Sequence, residues 1–163
     1  MEEVIVQNWN GAVSKQDTTY ILGDFCWSAD DKEWIRILDR LNGSKVLVKG
    51  NHCLKNMSAN LKRKFADIKD YKEITDNGRH VIMCHYPILL YKGSYNPNCY
   101  MLCGHVHTTR ENDFLNKWRK ELRDSRTDSS HNCGNIYNVG CMLHDYTPKT
   151  LEEIIEDDLN RNK

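Results

Sequence analysis

The sequence predicts an α/β domain with mixed sheets flanked by helices, and three observations predict it. Residues 18 to 48 read strand, helix, strand; an Asn-Gly pair at residues 77 and 78 sits between two strand-like runs; and four short apolar runs each stop at a metal-capable side chain. Those runs are Tyr20-Ile21-Leu22-Gly23-Asp24, Val46-Leu47-Val48-Lys49-Gly50-Asn51-His52, Val81-Ile82-Met83-Cys84-His85 and Tyr100-Met101-Leu102-Cys103-Gly104-His105-Val106-His107. In open α/β sheets ligands bind beyond the carboxyl ends of the strands, so side chains at such ends are candidates for one shared site.

The elements follow in order. Glu2 to Trp9 reads as the end of a helix, with Val4, Ile5 and Trp9 on one side and Asn10-Gly11 as its stop. Thr18 to Leu22 is β-branched and aromatic, as a strand should be. Ser28 and Asp31 resemble a capping box, and Trp34, Ile37, Leu38 and Leu41 repeat at helical spacing until Asn42-Gly43. The second strand follows at once, which predicts a parallel pair with a right-handed crossover and puts Asp24 and Asn51 at the same edge. Met57 to Phe65 is weakly helical and basic. Tyr71 to Thr75 and His80 to Cys84 flank the Asn-Gly turn as a hairpin expected to join the sheet. Phe114 to Leu122 predicts a helix with Phe114, Leu115, Trp118 and Leu122 on one face, and the polar stretch 124–135 reads as a mobile surface loop. A last strand, Ile136 to Val139, leads to a helix that Thr150 and Glu153 cap and that runs through Leu159.

A chain of 163 residues suits one domain over 1–163, burying roughly two-thirds of the surface its unfolded form exposes. No repeats and no linker divide it. With 23 basic and 23 acidic residues the formal charge is zero, which argues against a surface built to neutralise a nucleic-acid backbone. The basic run Lys62-Arg63-Lys64 reads as a solvated helix face. No apolar stretch approaches the ~20 residues of a membrane span and the start is acidic, so a cytoplasmic location is expected. Seven cysteines without a C-x-x-C pair indicate neither a disulfide framework nor a zinc ribbon; Cys84 and Cys103 read as buried, reduced thiols.

The strand-end groups offer a carboxylate (Asp24), an amide oxygen (Asn51) and imidazoles (His85, His105, His107). This mixture suits Mn²⁺, Fe or Zn²⁺ better than Mg²⁺ or a soft metal. Gly23, Gly50 and Gly104 each precede a candidate ligand, where the backbone must leave its strand sharply. His80, His131 and His144 read as ordinary satisfied histidines, and Trp9, Trp34 and Trp118 as core. Trp27, just past the Asp24 strand end, is a candidate for the mouth of the site. The loop at Lys92-Gly93-Ser94, among Tyr91, Tyr95 and Tyr100, is explained equally well by turn chemistry.

Gly23-Asp24, Gly50-Asn51-His52, His85 in His85-Tyr86-Pro87, and Gly104-His105-Val106-His107 occur in that order. In this the chain resembles the calcineurin-like metallophosphoesterases, whose pattern is D-x-H, G-D, G-N-H-[DE], a lone His and G-H-x-H. The ending, Asn138-Val139-Gly140 and Asp145-Tyr146-Thr147-Pro148 through Glu153, is similar to that of small bacterial and phage members. The resemblance implies a layered α/β/β/α fold, hydrolysis of phosphate mono- or diesters by metal-activated water, and a small phosphate ester or nucleotide as substrate. It implies that Asp24 bridges two divalent ions, that Asn51, His85 and His105 complete one of them, and that His107 belongs to the other. His52 is implied as a catalytic residue that stabilises developing charge or protonates the leaving oxygen. Two departures stand out. The D-x-H block is absent, because the chain begins inside the helix that would follow it, so an N-terminally truncated fold with its first strand missing is expected. With only Asp24 and His107 left for the first ion, the two nominal metals reduce to one, since such ions need about three protein ligands. Cys53 stands where the family has an acid. The alternative reading is a non-catalytic metal- or phosphate-binding module built on the same fold.

Overall fold

The computed structural model describes residues 1–125 and 131–161. Two sheets organise it. β1 (Thr18–Leu22), β2 (Ser44–Val48) and β3 (Asp67–Lys69) form a parallel sheet in that order. β4 (Tyr71–Asp76), β5 (Arg79–Cys84), β6 (Cys99–Cys103) and β7 (Ile136–Asn138) form the second, antiparallel at β4–β5 and parallel beyond. The expected β1–β2 pairing holds, with Leu22 beside Val48. The hairpin forms around Asn77 and Gly78, both at positive φ, as a two-residue turn of that sequence requires. It does not extend the first sheet as expected. β3 occupies the edge next to β2, and the chain turns there into a separate sheet. Three residues carrying one large apolar side chain, Ile68, give no pattern from which β3 could be read.

Strand alternation then sorts the apolar side chains into layers. On one face of the first sheet, Ile21 and Leu47 pack with Val6 and Trp9 of α1 (Glu2–Ala12) and Trp34 and Leu38 of α2 (Asp31–Leu38). Between the sheets, Val48 meets Val81, Met83, Leu102 and Tyr137, closed off by Leu151 and Ile154 of the C-terminal helix (Leu151–Arg161). On the far face of the second sheet, Ile82, Met101 and Ile136 pack against Leu115 of the helix Arg110–Asp124. The molecule is therefore mixed α/β, two sheets with helices outside them. None of the described helices is long and apolar enough to cross a membrane.

Several local expectations need correction. α1 continues through Asn10-Gly11, because the Asn10 side chain is occupied elsewhere: it donates to Arg40 O at 2.8 Å and accepts from Asn42 N at 2.8 Å. α2 is capped by Asp30, whose carboxylate accepts from Lys32 N, and not by Ser28. Asp31 instead accepts from Ser58 N at 2.7 Å, the N-cap of α3 (Ala59–Lys62). α2 also stops at Leu38, so Leu41 is buried from a following turn. The helix Arg110–Asp124, now α4, leaves Phe114 63% exposed and buries Asn112, Leu115 and Arg119. Of the stretch 124–135, residues 126–130 lie outside the described residues, while Cys133 is buried and its N–H donates to Ser94 O at 2.7 Å. The Thr150–Glu153 capping box forms as expected and opens α5 (Leu151–Arg161). The seven cysteines are free thiols.

A buried charge pair joins α4 to α5. Asp158 is 7% exposed and accepts two hydrogen bonds from Arg119, at 3.0 and 2.8 Å, and one from Arg123 at 3.3 Å. The Arg119 guanidinium also lies over the Tyr137 ring of β7, 4.6 Å from its centre. Burial pushes the Asp158 carboxyl up, but the hydrogen bonds and charge of Arg119, then of Arg123, outweigh it and leave it below the usual carboxylate value. A depressed carboxyl stabilises the fold above its unfolded-state pKa, and that contribution is lost as pH falls through the folded value. Asp158→Asn should therefore lower unfolding stability by about 3–5 kcal/mol in urea titration at neutral pH. It should also lessen the loss of stability on acidification, and an unchanged midpoint would refute the lock.

Candidate functional site

The site is built where the strands end. β1 stops at Leu22, Gly23 turns at φ +85°, and Asp24 follows with φ +37°, a left-handed conformation uncommon for a residue with a Cβ. A Cβ on Gly23 would overlap the His85 ring, and one on Gly50 would overlap the Asp24 carboxylate. Those two glycines are thus required by close approach, as the sequence suggested. Asp24 Oδ1 accepts the backbone N–H of His52 at 3.0 Å, tying the loop after β2 to the end of β1. Cys53 closes that loop: its Sγ accepts from Gly50 N at 3.2 Å, and burial pushes its thiol up, so it stays neutral.

From the second sheet comes His85, 2% exposed, one residue past β5. Its Nδ1 lies 2.9 Å from the Leu22 carbonyl. A carbonyl only accepts, so Nδ1 donates that hydrogen bond and Nε2 is the ring nitrogen turned toward the site. There Nε2 meets Asn51 Oδ1 at 2.9 Å and Asp24 Oδ2 at 3.4 Å. His105 Nδ1 approaches the same Asn51 Oδ1 at 3.0 Å. Asp24, Asn51, His85 and His105 therefore gather at one point. Asp24 Oδ2 is buried there without a hydrogen-bond partner.

The Gly104–His107 turn is held from below. Gly104 N donates to His85 O at 3.0 Å, and Val106 is buried at 4%. The His107 carbonyl accepts from Asn138 Nδ2 at 2.7 Å, and the same amide donates to buried Asn112. Thr109 then caps α4. His105 and His107 both have positive φ, 64° and 47°. His107 is exposed. His52 is exposed too, its ring 4.2 Å from that of Trp27. Tyr86, which the sequence did not single out, packs edge-on against His85 at 5.1 Å and His105 at 4.7 Å. Its only signal was its place next to a strand-end histidine.

The donor set accommodates a cation. Nε2, Asn51 Oδ1 at 2.9 Å and an Asp24 Oδ2 without a hydrogen-bond partner call for a proton or a cation among them. A histidine whose second nitrogen donates to a carbonyl is the usual arrangement of a metal ligand. Among the described residues no three His, Cys, Asp or Glu side chains alone converge to hold a metal; the convergence here runs through the amide of Asn51.

No protein-family model matches the chain, and no curated protein matches it. It is similar to the crystal structure of a protein of unknown function, AQ665 from Aquifex aeolicus, with a TM-score of 0.66 and 31% sequence identity. The match covers 95% of this chain and 83% of that one. The chain belongs to that protein's family.

Replacing Gly23 by Ala tests the closeness of the two sheet ends. With φ +85° and the His85 ring in the way, Gly23→Ala should cost roughly 1–3 kcal/mol in urea unfolding. A stability equal to that of the unaltered protein would mean His85 is not seated on β1.

Proposed function

We propose that the protein is a metal-dependent phosphoesterase of the calcineurin-like kind, acting on a phosphate mono- or diester, and that its two sheets are the inner layers of that family's α/β/β/α fold. The observation that carries the reading is the fixed His85 ring, which points Nε2 at the spot that Asn51 Oδ1, Asp24 Oδ2 and His105 also face. Asn51, His85 and His105 would hold a divalent ion, Mn, Fe or Zn by their chemistry, with Asp24 as the anionic partner. Such an ion supplies Lewis-acid polarisation of a phosphoryl oxygen and makes water acidic enough to act at neutral pH.

The chain's own groups do the rest. Asp24 sets the position of His52 by accepting its backbone N–H. His52, with its ring on Trp27 and open to solvent, would give a proton to the departing ester oxygen. General acids of this kind contribute about 10² to 10⁴ in rate. The second reading, a binding module without catalysis, is favoured by one observation: His107 is exposed to solvent, whereas His85 is buried.

Isothermal titration of the full chain with MnCl₂ should show binding, and His85→Ala should weaken it roughly tenfold or more. Unchanged affinity in the variant would overturn the site. Hydrolysis of bis(p-nitrophenyl) phosphate with Mn²⁺ decides between enzyme and module, because the module binds Mn²⁺ and leaves the ester intact.

A further inference from the structure

Isolated exposed aromatic side chains are ordinary on protein surfaces and call for no explanation. Trp27 and Tyr86 differ from that background in what they touch. Trp27 is 73% exposed, yet its ring lies 4.2 Å from that of His52 at an angle of 45°. Tyr86 is 46% exposed and stands edge-on to both His85 and His105. His52 follows Asn51 in the chain, and Asn51 Oδ1 contacts His85 and His105. A rim of contacts therefore runs from Trp27 to His52 and, through its chain neighbour Asn51, to His105 and Tyr86, with the polar gathering at the middle and an exposed aromatic ring at each end.

The backbone supports this rim at both ends. Trp27 follows Asp24 by three residues, and the Trp34 indole donates to Ser28 O at 2.9 Å, holding the segment that carries Trp27 against α2. Tyr86 follows His85 directly, and the Gly104 N–H donates to the His85 carbonyl at its base. Neither ring is buried enough to serve the core, and both flank a place where the proposed reading seats a phosphate.

Resting on that reading, we propose that Trp27 and Tyr86 form the specificity surface of the site and select phosphate esters whose alcohol part carries a flat aromatic ring. A phosphorus seated over Asn51 presents its ester substituent to the rim. A planar ring stacks there on an indole or phenol face, whereas an aliphatic substituent gains only what its smaller contact area provides. Aromatic pairs are favoured by about 0.5–1.5 kcal/mol beyond area burial, equivalent to roughly a threefold to tenfold preference.

The test uses ligands that cannot be hydrolysed. Phenylphosphonate and methylphosphonate carry the same headgroup, and their binding to the full chain with Mn²⁺ is read by isothermal titration and by tryptophan fluorescence. Phenylphosphonate should bind roughly threefold to tenfold more tightly. Trp27→Ala and Tyr86→Ala should each reduce that ratio while methylphosphonate affinity holds, and Trp27→Phe should retain most of it. Competition by adenosine 5′-monophosphate against ribose 5-phosphate locates the ring: a preference for the nucleotide marks a nucleoside ester, and a preference confined to phenylphosphonate marks an aryl ester. Equal affinities within both pairs, or preferences indifferent to both alanine variants, overturn the proposal and leave the phosphoesterase reading standing. If neither phosphonate binds, the phosphoesterase reading itself falls and takes this one with it.

Discussion

The hydrogen bond between His85 Nδ1 and the Leu22 carbonyl is the constraint on which the candidate site depends. It joins the end of β5 in one sheet to the end of β1 in the other, and it does so at a position 2% exposed, where an unpaired ring nitrogen would be costly. The same bond occupies Nδ1 and leaves Nε2 to meet the other groups of the site. Without it the two sheets would still pack through Val48, Met83 and Leu102, but the imidazole would have no reason to face Asn51 and Asp24. Gly23 makes the contact possible, since any side chain there would overlap the ring.

Much of this was legible in the sequence, for a physical reason. Strands announce themselves by runs of apolar and β-branched residues, and a polar side chain directly after such a run has to lie at a strand end. Asp24, Asn51, His85 and His105 were found that way, and parallel pairing of β1 with β2 brings two of them together. What stayed hidden depends on contacts rather than on patterns. Asn10-Gly11 carries every local mark of a helix stop, yet the Asn10 amide is taken by Arg40 and Asn42, so the helix runs on. Phe114 has the right helical spacing but lies on the solvent side, because Arg119 takes the inward place opposite Asp158. Buried arginine is rare, and spacing alone ranks it below phenylalanine for such a position. Tyr86 was missed because exposure beside a histidine cannot be read from one sequence.

The polar groups beneath the site form a second support. Asn138 and Asn112 are both buried, and the Asn138 amide donates to Asn112 Oδ1 and to the carbonyl of His107. This clamp sits at the start of α4 and at the end of β7, so the turn bearing His105 is held from the second sheet and the helix packed on it. The Asp24 and Asn51 loops are fixed by the first sheet. Two rigid halves thus meet at the Asn51 amide, and the geometry of the gathering reports how the sheets are stacked.

Strain completes the picture. Asp24, His105 and His107 all adopt positive φ without being glycine, and each such residue costs on the order of 1–3 kcal/mol. Added to the buried Asp24 oxygen that lacks a hydrogen-bond partner, this is a large fraction of the roughly 5–15 kcal/mol that keeps a domain folded. Strain of that size persists where the surrounding contacts over-determine the backbone, and here they do: the His52 N–H, the His85 ring and the Asn138 amide each hold one of the strained segments. A cation among Asp24, Asn51, His85 and His105 would remove the repulsion between their acceptors and so offset part of that cost. Binding there would then stabilise the fold as a whole, because a ligand that prefers the native state over the unfolded chain shifts the folding equilibrium by its own affinity. Stability and cation binding at this place would then be coupled through the same few atoms.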